Sequence, residues 1–285
     1  MTETLESPGD VKAWIAAKKK KRKRVGFVPT MGALHEGHLA LVDEARKRAG
    51  VVIMSIFVNP LQFAPHEDLA RYPRDLDRDR RLATDRGVDA LFVPSVETMY
   101  PPGAEIRVIP GETGARWEGK MRPGHFTGVL TVVAKLFHLV EPDLAVFGQK
   151  DIQQAVLIRR MVEDLNWNLE LVIVPTVREP DGLALSSRNV YLDPEGRAKA
   201  RLLSTSLQRA HELFRSGETQ VGTLQREMEK ILQVHPDISV EYIAIVDPHH
   251  MKPVTVADDT TIVALAARIG TTRLIDNIAL GKGLR

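Results

Sequence analysis

Residues 25–38 read VGFVPTMGALHEGH. An apolar run at 25–28 comes first, then a Pro-Thr-Met-Gly turn, then His35-Glu36-Gly37-His38, and then a helical pattern of Leu39, Leu41, Val42 and Ala45. This order predicts a buried strand, a tight glycine-containing loop and a helix with a histidine in its first turn. Helix N-termini present unsatisfied N–H groups and a partial positive charge, so they suit anions, phosphates above all. His35 and His38, three residues apart, both have ring nitrogens able to donate to phosphate oxygens. Gly32 and Gly37 remove the side chains that hold backbone and ligand apart.

Working outward, VVIMSIFV at 51–58 is a run apolar but for Ser55 and rich in β-branched residues, which predicts a strand covered on both faces. It ends in the loop Asn59-Pro60-Leu61-Gln62-Phe63. Residues 68–86 are highly charged and read as exposed loop and helix, 90–93 as a strand closed by Pro94. Residues 101–123, rich in glycine and proline, read as a mobile segment. A helix at 127–140, a strand at 144–147, a helix at about 152–165 and a strand at 169–174 follow. This alternation implies α/β architecture, a Rossmann-like parallel sheet with helices on both faces. Ligands of such sheets sit at the carboxyl ends of the strands, so the polar loops after Val28, Val58 and Phe147 are expected to converge.

Past Val177 the pattern changes to two helices, about 195–214 and 219–234, and then strands at 239–246, 261–267 and 273–275. A smaller α+β C-terminal domain is expected. The expected division is 1–176 for the sheet domain that carries the ligand site and 177–285 for a lid.

The 285 residues, 44% of them hydrophobic, suffice for one large or two moderate cores. No apolar run is long enough for a transmembrane helix. The opening MTETLESPGD is acidic and polar, unlike a signal peptide. With no cysteine there is no thiol catalysis, disulfide or zinc–thiolate site, and a cytoplasmic protein is expected. A net charge of +2 does not point to nucleic acid. The exception is KKKKRKR at 18–24, seven basic residues in a row, read here as a solvated approach to the first strand.

The chain has neither a GxxxxGK[ST] nor a GxGxxG loop. Two groups remain to hold a nucleotide. One is the His35/His38 corner. The other is Lys150 in GQKD with Ser186, Ser187 and Arg188 in LSSR, an ammonium, two hydroxyls and a guanidinium suited to phosphates.

His-x-Gly-His in this setting resembles the signature of the nucleotidyltransferase superfamily. The longer string PTMGALHEGHLALV, with YPRDLDRD, RPGHFTGV, FGQKDIQQ and DGLALSSRNVYL in order, resembles the pantothenate synthetase (pantoate–β-alanine ligase) family over about 25–275. The resemblance implies an ATP-dependent ligase that condenses pantoate with β-alanine through a pantoyl adenylate, releasing AMP and pyrophosphate. It implies an ATP site of Met31, Gly32, Ala33, Leu34, His35, Glu36, Gly37 and His38, with Gly148, Gln149, Lys150, Asp151, Val177, Leu185, Ser186, Ser187 and Arg188. Within that set His38, His35, Lys150, Ser186, Ser187 and Arg188 would act on the reacting phosphates. Gln62 and Gln154 would hold pantoate, Gln62 would also touch β-alanine, and Arg122 would approach pantoate. Magnesium is expected with ATP, with Asp79 as the candidate ligand. A homodimer is implied as well.

Here Leu185 stands where the family commonly has methionine, a volume-conserving change. Gln149 stands where glutamate is common, and Arg78 lies inside the acidic cluster beside Asp77 and Asp79. One rival reading is a nucleotidyltransferase adenylating a phosphate ester, which would need basic residues where Gln62 and Gln154 are neutral. The other is a nucleic-acid-binding protein using residues 18–24, with strongly salt-dependent retention.

Overall fold

The computed structural model describes residues 2–65 and 67–283. The chain divides into two compact units, residues 1–148 with 157–174 and residues 149–156 with 175–285.

The first unit carries β1 (Glu3–Leu5), α1 (Pro8–Lys20), β2 (Val25–Thr30), α2 (Glu36–Arg48), β3 (Val51–Ile56), α3 (Leu76–Asp85), β4 (Ala90–Phe92), α4 (Val96–Met99), α5 (Glu118–Met121), α6 (His125–Val140) and β5 (Leu144–Gly148). Helix α7 (Ile152–Asp164) starts in segment 149–156, and β6 (Glu170–Val174) closes the sheet. The six strands are all parallel in the order β1-β4-β3-β2-β5-β6. From β2 the chain builds outward to β3 and β4, then returns to build β5 and β6 on the other side. The direction of winding reverses between β2 and β5, where sheets of this kind open a crevice at the strand carboxyl ends.

All six residues of β3 are buried, as a strand covered on both faces requires. One core layer joins Phe27 of β2, Phe137 of α6 and Trp167, with Phe137 edge-on to both rings at centroid distances of 6.3 and 5.4 Å. Emptying such a site, as in Phe137→Ala, costs about 3–5 kcal/mol. Gly128 brings α6 onto the turn Pro60–Gln62: a Cβ there would lie 2.2 Å from the Leu61 main-chain oxygen.

Strand β1 departs from expectation. The polar opening was not read as a strand, yet Glu3–Leu5 pairs in register with Ala90–Phe92 and Leu5 is buried. The basic run is divided between two structures. Lys18, Lys19 and Lys20 form the last turn of α1, where the helix dipole favours cations. The chain then turns through Arg22, with φ 53°, into β2. Lys18 pairs with Glu3 and lies over the Trp14 ring, Lys19 pairs with Glu141, and Arg24 pairs with Glu170.

Residues 101–123, expected to be mobile, are tied down. A 3-10 turn at Glu112–Ala115 and helix α5 occupy the stretch. The Val108 N–H donates to Thr131, and Arg122 holds Glu67 in a two-pronged ion pair.

The second unit holds α8 (Pro194–Arg215), α9 (Val221–Leu232) and an antiparallel sheet of β7 (Ile238–Val246), β8 (Ile262–Ile269) and β9 (Thr272–Ala279), in that order. Leu203, Leu207, Leu224 and Met228 from the helices pack with Val263, Leu265 and Ile278 from the sheet. Segment 149–156, expected with the first domain, packs with this unit. Among the described residues no helix is long and apolar enough to cross a membrane.

Candidate active site

In the first unit the site begins where β2 ends. The chain leaves Thr30 through Met31 and turns at Gly32 and Ala33, whose φ angles are +81° and +50°. Asp79, from α3, holds this turn. Its two carboxylate oxygens accept from the N–H groups of Ala33 and Leu34, each at 2.8 Å. Arg78 donates to the Leu34 oxygen at 2.9 Å. Asp79 is 1% exposed, and burial pushes its carboxyl above the usual range against the lowering effect of the two N–H bonds. Both Asp79 oxygens, expected as candidates for magnesium, accept backbone N–H groups, and among the described residues Asp79 is not part of a group of three or more His, Cys, Asp or Glu placed to hold a metal ion.

His35 then caps α2. Its Nδ1 accepts from the Gly37 N–H at 3.1 Å, and the Nδ1 of His38, at the third helical position, accepts from the His35 N–H at 3.4 Å. This is a capping box built from two imidazoles. The rings lie 4.1 Å apart. Because each Nδ1 accepts, the proton of each neutral ring sits on Nε2. The helix start and the tautomer of each neutral ring are thus set by the same bonds. Glu36 directs its carboxylate to Arg86 at 2.6 Å, so only its backbone remains for an anion.

Gln62, from the loop after β3, reaches the same place. Its Nε2 lies 3.0 Å from the Met31 sulfur and its Oε1 accepts from Asn59 at 3.0 Å. The Gln62 main-chain oxygen lies 3.3 Å from Arg122 and 2.8 Å from the His125 Nδ1. A carbonyl only accepts, so His125 carries its proton on Nδ1 and its Nε2 accepts from Arg122 at 3.1 Å. Burial, then the Arg122 charge, lowers the His125 pKa to about 4. Burial raises the Glu67 carboxyl, but the Arg122 fork outweighs it and holds that group below its ordinary value. Met31, Gln62 and Arg122 are therefore brought together in the first unit.

Three residues of this corner were missed from sequence. Asn59 is 1% exposed and donates to Gln62 and the Gly128 oxygen while accepting from Tyr100 at 2.9 Å. Burial raises the Tyr100 pKa, so its hydroxyl stays a donor. His125 is the third. The Asn-Pro pair after an apolar strand was the available signal for Asn59, since asparagine commonly bonds the backbone two residues on, and Leu61 N–H does donate to it.

In the second unit, Gln149, Lys150 and Asp151 form a 3-10 turn that leads into α7, directly after Gly148 ends β5. Gln154 lies on the first turn of α7, half-buried. Val177 accepts from the Leu185 N–H at 3.0 Å, closing a short loop from which Ser186 follows. Ser186 caps the turn Ser187–Tyr191 by accepting from the Arg188 N–H at 3.2 Å. Lys150, Ser186, Ser187 and Arg188 are all partly exposed.

These features match known proteins over nearly the whole chain. The family model for pantoate–β-alanine ligase matches residues 3–279. A pantothenate synthetase of Moorella thermoacetica is 51% identical over 279 residues, 98% of this chain and 98% of that one. The crystal structure of pantothenate synthetase from Thermus thermophilus superposes with a TM-score of 0.93 at 49% identity, over 98% of this chain and 99% of that chain. A pantoate–β-alanine ligase from Francisella tularensis, solved with β-γ ATP and β-alanine, gives a TM-score of 0.78 at 34% identity, over 99% and 98% of the two chains. With the sheet, the imidazole-capped helix and the Gln62 corner in place, these likenesses show that the chain belongs to the pantoate–β-alanine ligase family.

Proposed function

We propose that this chain joins pantoate to β-alanine at the expense of ATP, forming pantothenate (vitamin B5) through a pantoyl adenylate. The observation that carries this is the pair of imidazoles capping α2 at the switch point of the sheet, each with its neutral-ring proton on Nε2, together with the neutral Gln62 amide against Met31 of the turn that leads to them. Protonated Nε2 atoms and helix N–H groups suit phosphate, and a neutral amide suits the hydroxyls and carboxylate of a small acid. The Francisella relative's complex with β-γ ATP and β-alanine supports both molecules as substrates here.

In the first step a pantoate carboxylate oxygen attacks the α-phosphorus of ATP and the bond to the bridging oxygen breaks, releasing pyrophosphate. His38, with His35, donates to the phosphate oxygens. Lys150, Ser186, Ser187 and Arg188 are assigned to the leaving charge. Such catalysis is mainly positioning and electrostatics. In the second step the amine of β-alanine attacks the acyl carbonyl, AMP leaves with the carbonyl–oxygen bond broken, and the amine loses a proton. Gln62, Gln154 and Arg122 are assigned to pantoate. The backbone of residues 31–38, with Gly148, Gln149, Asp151, Val177 and Leu185, is assigned to ATP. Magnesium enters with ATP as part of the substrate, consistent with the commitment of Asp79 to the backbone.

The chain is further proposed to act in the cytoplasm, where ATP is at hand, and as a homodimer. Ile106 and Ile109, 87% and 76% exposed in a segment without helix or strand, offer an apolar stretch for a second copy. Light scattering after gel filtration measures the dimer directly.

The decisive experiment is isotope exchange. With ATP, magnesium and pantoate but no β-alanine, labelled pyrophosphate should enter ATP, and omission of pantoate should abolish the exchange. Exchange that requires β-alanine would overturn the two-step order. Exchange supported by a phosphate ester in place of pantoate would instead identify a nucleotidyltransferase.

A further inference from the structure

Strand β9 carries two adjacent polar residues that are almost wholly buried, Asp276 at 3% and Asn277 at 1% exposed. Successive residues of a strand point to opposite faces, and neither group is stable in a sheet without partners. Each partner lies on one of the two loops to which the leaving phosphates are assigned. The Asn277 amide nitrogen donates to the main-chain oxygens of both Gln149 and Lys150, at 3.0 and 2.9 Å, and its oxygen accepts from the Gln149 side chain at 3.2 Å. Asp276 holds Arg178 in a two-pronged ion pair at 2.7 and 2.9 Å, with Arg178 only 10% exposed. Arg178 in turn donates to the Gly182 oxygen at 3.1 Å and sits opposite Ala184 in an antiparallel bridge. Asp276 also accepts from the Asn277 N–H at 2.7 Å, so the two clamps share a bond.

We propose that Asp276 and Asn277 are positioning residues for the adenylation step. Through Asn277, strand β9 sets the direction of the Lys150 turn, and through Asp276 and Arg178 it sets the loop that delivers Ser186, Ser187 and Arg188. Two phosphate-binding loops far apart in sequence are thereby fixed to one rigid strand with neighbouring attachment points, so their donors keep a constant spacing. Neither residue touches the reacting atoms in this account. Their effect passes through Lys150 and the Ser-Ser-Arg loop, and the proposal rests on the function given above.

The test is a double-mutant cycle read by pantoate-dependent pyrophosphate exchange. Asn277→Ala should lower the exchange rate constant about ten- to hundredfold, the scale of an ångström-sized misplacement, with the KM for pantoate unchanged within about twofold. In a Lys150→Ala background the same substitution should cost less than about twofold, since a displaced turn no longer carries an ammonium. Asn277→Ser, which keeps one donor, should fall between the two and serves as the readout if Asn277→Ala does not fold. Hydrogen–deuterium exchange of peptides covering 149–156 should speed up in the folded variant while peptides of α2 stay unchanged. Equal losses in the wild-type and Lys150→Ala backgrounds, or unaltered rate and protection in a folded Asn277→Ala, overturn the clamp. A wild-type protein inert in the exchange assay, with 149–156 still loosened by Asn277→Ala, overturns the function and leaves the clamp standing.

Discussion

His125 holds Gln62 by its backbone: the Nδ1–H of His125 donates to the Gln62 oxygen over 2.8 Å, while Arg122 donates to the other side of the ring. The residue assigned to pantoate is thereby fixed from behind by a neutral, buried histidine. This has a consequence for pH. The ring titrates near 4 when folded against an ordinary value of 6.5. Between those values the unfolded chain binds the proton and the folded chain does not. Stability from this group is complete above about pH 6.5 and declines as pH falls toward 4, by on the order of 3 kcal/mol in all. The amide of His125→Gln can donate and accept at the same places without titrating. Urea midpoints measured from pH 7 to 4 should fall less steeply for that variant. Parallel slopes for the two proteins would remove His125 as the titrating group.

Asp79→Asn keeps the size of the side chain and replaces one acceptor by a donor. One of the Ala33 and Leu34 N–H groups then faces an NH2 group, at a cost of about 1–3 kcal/mol. The turn entering α2 should loosen, and exchange turnover should fall about tenfold by misplacement of the imidazoles. The magnesium concentration giving half-maximal rate should not move. A large rise in that concentration would return Asp79 to the metal.

Gly32→Ala tests the same turn sterically. The residue has φ +81°, and an added Cβ would meet an Asp79 oxygen at 2.9 Å and the Ile56 side chain at 3.0 Å. Destabilisation of about 1–3 kcal/mol is expected, read as a lowered melting temperature, together with slower exchange. An unchanged melting temperature would show that the turn is looser than its bonds imply.

The basic run should matter to stability alone. Changing Lys18 to Lys21 to glutamine removes three cations from the last turn of α1 and the Lys19–Glu141 pair. The loss should total about 1–2 kcal/mol, with exchange and overall turnover unchanged. A fall in turnover at full folding would reveal a role in the reaction. Retention on nucleic acid that weakens steeply with salt would support a different use of the run.

The strands and helices that form the sheet were legible because their signals are local. Residues 51–56 form an apolar run interrupted only by Ser55, and His125–Val140 has an apolar face at helical spacing. Strand β1 was not legible, since three residues with one apolar side chain carry no period. The histidine corner was legible as a strand-loop-helix junction, but its capping bonds were not. The backbone partners of Asp79 were not legible: a sequence shows the carboxylate but not the two N–H groups, some forty-five residues away, from which it accepts. Asn277 stayed invisible for the same reason, being 128 residues from Gln149.

The imidazoles at the start of α2 also bear on how fold and chemistry are weighed against each other. Serine, aspartate and asparagine are the usual best caps of a helix, and histidine is not among them. Selection for the stability of α2 alone would favour one of those side chains at position 35. Such a replacement would keep the helix and remove the protonated Nε2. At this junction, then, improvement by stability criteria and loss of one of the two proposed phosphate donors are a single event, and a stabilised sequence drawn from helix preferences alone would discard that donor while leaving a well-formed protein.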